Sequence, residues 1–184
     1  MPHFTTSDGL SIYYEDTGTG LPILCLAGLT RNARDFDFVA PHLQGVRLVR
    51  MDYRGRGKSD WTADFSTYNV IREGQDALEL LDHLGLEQAA ILGTSRGGLI
   101  AMILAATHKA RLLGVALNDI GPELNNEGLE FIMGYLGKNP PHKTLADLAA
   151  ANMKAFGPNF SDVPLARWQT VVENTYTQTD DGVI

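Results

Sequence analysis

The residues Gly93-Thr94-Ser95-Arg96-Gly97-Gly98 stand between two apolar runs, and that context constrains the fold more than any other feature of the chain. Ala89 to Leu92 is short and apolar, as a strand buried on both faces must be. Leu99 to Ala106 is apolar all round over a helical length, as a buried helix must be. Between them there is room only for a sharp turn. Gly93 and Gly97 stand two residues either side of Ser95 and bring no Cβ to crowd it. A strand that feeds so directly into a buried helix belongs to a sheet covered by helices.

The rest of the first two-thirds keeps this rhythm. Asp8-Gly9, between the β-prone runs His3 to Thr6 and Leu10 to Asp16, is a hairpin signal. Leu21 to Leu26 and Val46 to Met51 read as buried strands, and Asp35 to Leu43 as a short helix interrupted by Pro41. Ile71 to Leu84 places Gly74, Ala77, Leu78 and Leu81 on one helical face with charges opposite. Leu112 to Leu117 is one more strand, ending at Asn118-Asp119. Strands alternating with helices predict crossover units and a mainly parallel α/β sheet.

After Gly121-Pro122 the pattern changes. Leu129, Ile132, Met133 and Leu136 have amphipathic helical spacing. Thr144 to Asp147 is a capping-box signature opening a helix through Phe156. Asp162-Val163-Pro164 starts another helix, with Trp168, Val171, Val172 and Thr175 on one face. Three helices with no strand between them read as an inserted cap, because a parallel sheet ordinarily returns to a strand after one helix. Ordinary helices on the outside of the sheet are the alternative. The expected organisation is an N-terminal core over 1–121, a helical cap over 122–178 and a return toward further core over 179–184.

Composition removes several classes of function. The 184 residues carry a net charge of −7, which disfavours nucleic acid, since phosphate binding needs clustered Lys and Arg. No apolar run approaches the length of a membrane span, and the residues after Met1 form neither a basic nor an apolar leader. The one cysteine, Cys25, lies inside an apolar run and reads as a core thiol in a reducing compartment, so a cytoplasmic protein is expected. Gly93-x-Ser95 lacks the second glycine of a dinucleotide fingerprint. Gly55 to Ser59 resembles half of a P-loop, but Asp52 stands where its first glycine is required.

What remains is the chemistry of Ser95. A neutral hydroxyl is a weak nucleophile until a sharp turn holds it beside a base. In the G-x-S-x-G nucleophile elbow the N–H of the following residue, here Arg96, faces a developing oxyanion at a helix N-terminus. The second donor is expected from the loop Ala27 to Asn32, where Gly28 permits close approach and the Leu29 N–H is the best candidate.

From Leu10 through Asp119 the chain resembles the α/β-hydrolase superfamily. Three signatures carry the resemblance, in order: Leu26-Ala27-Gly28-Leu29, then Asp52-Tyr53-Arg54-Gly55-Arg56-Gly57-Lys58-Ser59, then the elbow. The stretch from Asp52 to Ser59 is similar to the D-x-R-G-x-G-x-S loop of capped members, where it is mainly structural. The resemblance implies Ser95 as nucleophile, the Leu29 and Arg96 N–H groups as oxyanion hole, and a cap after the sixth strand. Where the family often has histidine before the oxyanion-loop glycine, this chain has Ala27.

The family order is serine, then acid, then histidine. The resemblance implies that the acid and the histidine come from a missing C-terminal segment, on the same or a second chain. Asp119 is the acid candidate within the chain, since some members place the acid after the sixth strand; a turn-capping aspartate is the alternative. Of His3, His42, His83, His108 and His142, only His142, in the cap loop, has a position from which it could reach a pocket.

The implied activity is hydrolysis of a small-molecule ester-like substrate through an acyl-enzyme. Thioester, lactone, amide and carbon–carbon substrates stay open, and no metal or organic cofactor is implied. Serine at the elbow argues against the dehalogenase and epoxide hydrolase relatives, which use aspartate there. The alternative is a catalytically incompetent fragment or a small-molecule-binding scaffold of the same fold.

Overall fold

Gly9 adopts a φ of 91°, and around it β1 (His3–Thr5) and β2 (Ser11–Gly18) pair antiparallel with Phe4 opposite Ile12. A left-handed backbone costs glycine nothing, which is why Asp8-Gly9 marks this turn. β2 runs antiparallel to β4 (Val46–Met51). Parallel pairing then joins β4 to β3 (Leu21–Leu26), β3 to β5 (Ala89–Thr94) and β5 to β6 (Leu112–Asn118). The order across the sheet is β1-β2-β4-β3-β5-β6. This computed structural model describes residues 2–124 and 126–184, in two units: Met1–Glu123, which holds the sheet, and Leu124–Ile184.

α1 (Val70–His83) connects β4 to β5, and α2 (Arg96–Thr107) connects β5 to β6. The Asn69 side chain accepts from the N–H groups of Ile71 and Arg72 and so fixes where α1 starts, a cap worth about 1 kcal/mol. Gly74, Ala77, Leu78 and Leu81 are buried, as their spacing predicts, but so are Glu73 and Asp76, which the same spacing turns outward. A Cβ on Gly74 would sit 3.4 Å from Ile100 Cγ2, so the glycine sets how closely α1 approaches α2. Leu24, Leu26, Val49, Leu81, Ile91 and Ile100 fill the centre of this unit. Each contributes roughly 1.5–3 kcal/mol through burial.

The helix expected over Asp35 to Leu43 is instead two short 3₁₀ turns, Ala33–Phe36 and Ala40–His42. Pro41 lacks an N–H and disfavours helical backbone at the residue before it, so one continuous helix cannot form. At the far side of the sheet β6 is an edge strand. Leu113, Val115 and Leu117 are exposed along it, an apolar row beside unpaired backbone groups.

In the second unit lie α3 (Asn126–Tyr135), α4 (Leu145–Phe156) and α5 (Leu165–Thr175). Thr144 caps α4, its Oγ1 accepting from the Asp147 N–H at 3.1 Å and donating to the Asp147 carboxylate at 2.7 Å. β7 (Gln178–Thr179) and β8 (Gly182–Val183) form a separate hairpin, and Val183 joins Leu148, Ala149 and Val172 in a small core. Among the described residues no helix is long and apolar enough to cross a membrane.

Cys25 is fully buried on β3, and burial pushes its thiol up to about 12 against the pull of Arg50. A thiol raised so far stays protonated, and therefore unreactive, across the neutral range. The folded chain is expected to give no reaction with Ellman's reagent at pH 8 and one thiol per chain in denaturant. Fast reaction of the folded chain would place Cys25 outside the core.

Candidate active site

The connections after β3 and β5 leave in opposite directions, toward β4 and toward β6, so these neighbouring strands mark a topological switch point. Open α/β sheets bind their ligands in the crevice at the carboxyl ends of such strands. Here Leu26 of β3 pairs with Gly93 of β5, and the loop through Gly28 and the turn at Ser95 leave from those two ends.

Ser95 has φ 48° and ψ −111°, a strained conformation for a residue with a side chain. Strain of this kind costs roughly 1–3 kcal/mol and persists only where the surroundings dictate it. The Ser95 N–H donates to the Asn118 carbonyl at 2.9 Å, and its own carbonyl accepts from Gly98 at 2.9 Å and Leu99 at 3.2 Å. A Cβ on Gly93 would meet the Gly97 carbonyl oxygen at 2.6 Å, and one on Gly97 the Leu26 carbonyl oxygen at 2.0 Å. Both glycines are needed for β3, β5 and α2 to approach as closely as they do. Ser95 is half-buried, and its hydroxyl has no hydrogen-bond partner among the described residues.

A Cβ placed on Gly28 would lie 3.8 Å from Ser95 Cβ, which shows how near the loop after β3 passes to the serine. The Tyr53 hydroxyl donates to the Ala27 carbonyl at 3.0 Å, and the Arg31 N–H to the Gly28 carbonyl at 3.1 Å, so the loop is held on both sides of Gly28. The Leu29 and Arg96 N–H groups have no acceptor among the described residues. For Arg96 the reason is its place as the first residue of α2.

Asp119 follows β6 directly, next to the Asn118 carbonyl that accepts from Ser95, and its φ is 54°. Its carboxylate is exposed and caps no turn or helix among the described residues. Thr30, Ser95 and Asp119 are the three non-glycine residues with positive φ among those described. All three stand just past the carboxyl ends of neighbouring strands, β3, β5 and β6. Backbone strain gathers at functional sites, and here it gathers at one edge of the sheet.

The Arg96 side chain turns away from the serine toward α1. Its Nε and Nη2 fork onto the Glu73 carboxylate at 2.7 and 2.9 Å, and Nη2 also donates to the Tyr68 carbonyl at 3.2 Å. Burial pushes the Glu73 carboxyl above the usual range, against the pull of Arg96. Sequence reasoning missed Glu73. Its place beside the Gly74, Ala77, Leu78 and Leu81 face, on the charged side of α1, carries no local signal of burial.

The loop from Asp52 to Ser59 turns its polar groups inward. Asp52 accepts from the Ala33 and Lys58 N–H groups at 2.7 and 2.8 Å, and burial pushes its carboxyl up. Ser59 donates to the Asp52 carbonyl and accepts from the Tyr13 N–H. Arg54 lies fully buried between Asp76 and Asp8. These bonds tie the loop to β2, α1 and the chain after β3, which is structural work.

No histidine of the first unit bonds to Ser95 among the described residues. His3 meets the Lys58 carbonyl, His83 the Tyr14 hydroxyl and His108 the Thr107 hydroxyl. His142 lies in the second unit, where its carbonyl accepts from the Val183 N–H at 3.1 Å. No group of three or more metal-ligating side chains occurs among the described residues.

Comparison with known proteins agrees with this architecture. A family model described as the alpha/beta hydrolase fold matches residues 22–167. Over 126 residues the chain is 42% identical to a 3-hydroxybutyrate-oligomer hydrolase of Cupriavidus necator, a match covering 68% of this chain and 43% of that protein. It is 30% identical over 191 residues to a non-heme haloperoxidase of Rhodococcus erythropolis, covering 97% of this chain and 68% of that one. The crystal structure of an alpha/beta hydrolase from Novosphingobium aromaticivorans superposes with a TM-score of 0.89 at 38% identity, covering 99% of this chain and 65% of the other. The chain thus spans less than half of the first relative and about two-thirds of that structure. With its sheet order, its elbow and these matches, the chain belongs to the α/β-hydrolase family.

Proposed function

We propose that this chain carries the nucleophile and oxyanion site of a serine hydrolase that cleaves an ester-like carbonyl through an acyl-enzyme. The observation that carries this reading is Ser95, held at φ 48° between β5 and α2 with the Gly28 loop against it. Ser95 Oγ attacks the carbonyl carbon as its proton passes to a histidine. The carbonyl oxygen becomes an oxyanion facing the Leu29 and Arg96 N–H groups. The histidine returns the proton to the leaving alkoxide, and water then releases the acyl group by the same steps.

In this reading the histidine, and the acid as the family usually places it, belong to a C-terminal segment on the same or a second chain. Asp119 is the candidate for an acid within the chain, supported by its place just past the carboxyl end of β6, next to the Asn118 carbonyl that holds the Ser95 N–H. The unpaired, apolar edge of β6 supports a further segment that continues the sheet. The helical second unit is read as the cap. Short oligoesters of hydroxy acids are the first substrates to try, because the Cupriavidus necator relative is named for one. A buried free thiol fits a reducing, cytoplasmic setting.

The test is the intact mass of wild type and Ser95→Ala after treatment with a fluorophosphonate. With the segment that supplies the histidine present, one adduct on wild type, mapped to Ser95 and lost in Ser95→Ala, is expected. A single 20.1 kDa species that takes no adduct would favour the inert fragment or binding scaffold.

A further inference from the structure

Arg96 has two ends that do different things. Its backbone N–H is the first of α2 and points out of the helix with no acceptor among the described residues. Its guanidinium is anchored in the neighbouring helix by the fork onto Glu73 and the bond to the Tyr68 carbonyl. The pair is well shielded, with the Arg96 side chain 19% and the Glu73 side chain 5% exposed, so water competes weakly for it. A planar guanidinium gripping both oxygens of a carboxylate fixes direction as well as distance.

The anchor is itself rigid. Glu73 sits in the first turn of α1, where its N–H donates to the Asn69 carbonyl at 3.0 Å and Asn69 caps the helix. The Tyr68 hydroxyl donates to the Thr62 carbonyl and accepts from the Thr62 N–H, and the Tyr68 ring lies over Gly55. From the elbow, then, one side chain reaches a fixed frame built by the loop after β4 and the start of α1. Other restraints on the elbow come through backbone bonds with Asn118, Gly98 and Leu99 and a longer side-chain bond from Asn118 Nδ2 to Thr94 Oγ1 at 3.3 Å.

We infer that the Arg96–Glu73 pair is a positioning device for the oxyanion site, setting where the Arg96 N–H points when Ser95 reacts. The inference rests on the reading of that N–H as an oxyanion donor. Glu73 touches no substrate and moves no proton; it acts through Arg96. Removing a whole oxyanion donor costs roughly 10²–10³ in rate, so loosening one is expected to cost about tenfold. A loosened donor should lower kcat with KM nearly unchanged, because it serves the transition state more than the ground state.

The first measurement is amide hydrogen exchange by NMR on wild type, Glu73→Gln and Glu73→Asp, at a pH where all three are folded. Ser95, Gly98 and Leu99 report on the elbow through their N–H bonds, and the Arg96 Nε–H resonance reports on the fork. Glu73→Gln is expected to speed exchange at those three amides about tenfold, with β3 and β4 unchanged, and to broaden or move the Arg96 Nε–H signal. Glu73→Asp, which keeps the charge on a shorter arm, is expected to restore part of the protection. Unchanged elbow exchange in Glu73→Gln would overturn the inference, and so would faster exchange throughout residues 21–107, which would make the pair a general stabiliser.

The second measurement is hydrolysis of p-nitrophenyl butyrate by the same variants, with Ser95→Ala as blank. A drop of about tenfold in kcat at constant KM is expected. The kinetics are read with the histidine-bearing C-terminal segment present; there an inactive wild type would count against the hydrolase reading, while the exchange pattern would still decide whether the pair holds the elbow.

Discussion

Gly97→Ala is expected to cost about 3 kcal/mol or more of folding stability and to leave Ser95 without its turn. A Cβ at this position would stand 2.0 Å from the Leu26 carbonyl oxygen and 2.5 Å from its carbon, whereas ordinary contact begins at 3.4 Å. No side chain can rotate away to make room, because the obstacle is the backbone of β3 itself. Leu26 is also paired with Gly93, so moving it strains β5 at the same time. The helix would have to lift off the sheet beside the turn that holds Ser95. Gly114→Ala on β6 is the control, since nothing lies within 4 Å of a Cβ there and its φ is not left-handed. It should change stability by no more than about 0.5 kcal/mol. Urea melts of the two variants beside wild type make the comparison. Equal midpoints for both would mean that α2 does not press on β3 at Gly97.

The same residue shows how much of the site can be read from the chain alone. Gly93, Ser95 and Gly97 declare the elbow because its chemistry is local: a turn that tight needs glycine at those spacings, and the apolar flanks say what it joins. The inner strands β3, β4 and β5 were legible for a similar reason, since each is a short, largely apolar run whose burial follows from its own composition; β6 is as apolar yet stands exposed at the sheet edge. Asp8-Gly9 and the Thr144 cap are short-range signals of the same kind. What stayed hidden depends on partners far away in sequence. Glu73 and Asp76 resemble solvent charges until Arg96 and Arg54 are brought to them, 23 and 22 residues distant. The positive φ of Thr30 and Asp119 could not be read from the chain, since neither position carries the glycine that marks such backbone. Pro41 did announce a break, but the break produced two 3₁₀ turns where an interrupted helix was expected.

Arg54→Met is the second variant with a large expected effect, a loss of about 3–5 kcal/mol, because it strips the partner from carboxylates that folding has buried or paired. Arg54 is fully buried; its Nε and Nη2 grip Asp76 at 2.7 Å each, and Nη1 and Nη2 reach Asp8 at 2.9 and 3.1 Å. Asp76 is fully buried as well, and in the variant it keeps only the contact with Arg72 at 2.8 Å. Methionine fills much of the arginine's volume, so the loss measured is that of the charge and not of a cavity. The pH dependence carries the signature. The Arg54 hydrogen bonds hold the Asp8 carboxyl well below the usual carboxylate range. A depressed pKa in the folded state gives stability that is present above the unfolded value, near about pH 4, and is lost as pH falls below it. Wild type should therefore lose stability from about pH 5 to pH 3 more steeply than Arg54→Met, and the gap between them should narrow. Parallel curves in urea melts across that range would mean that Arg54 stabilises the loop by packing alone, and that the Asp8 carboxyl does not depend on its charge.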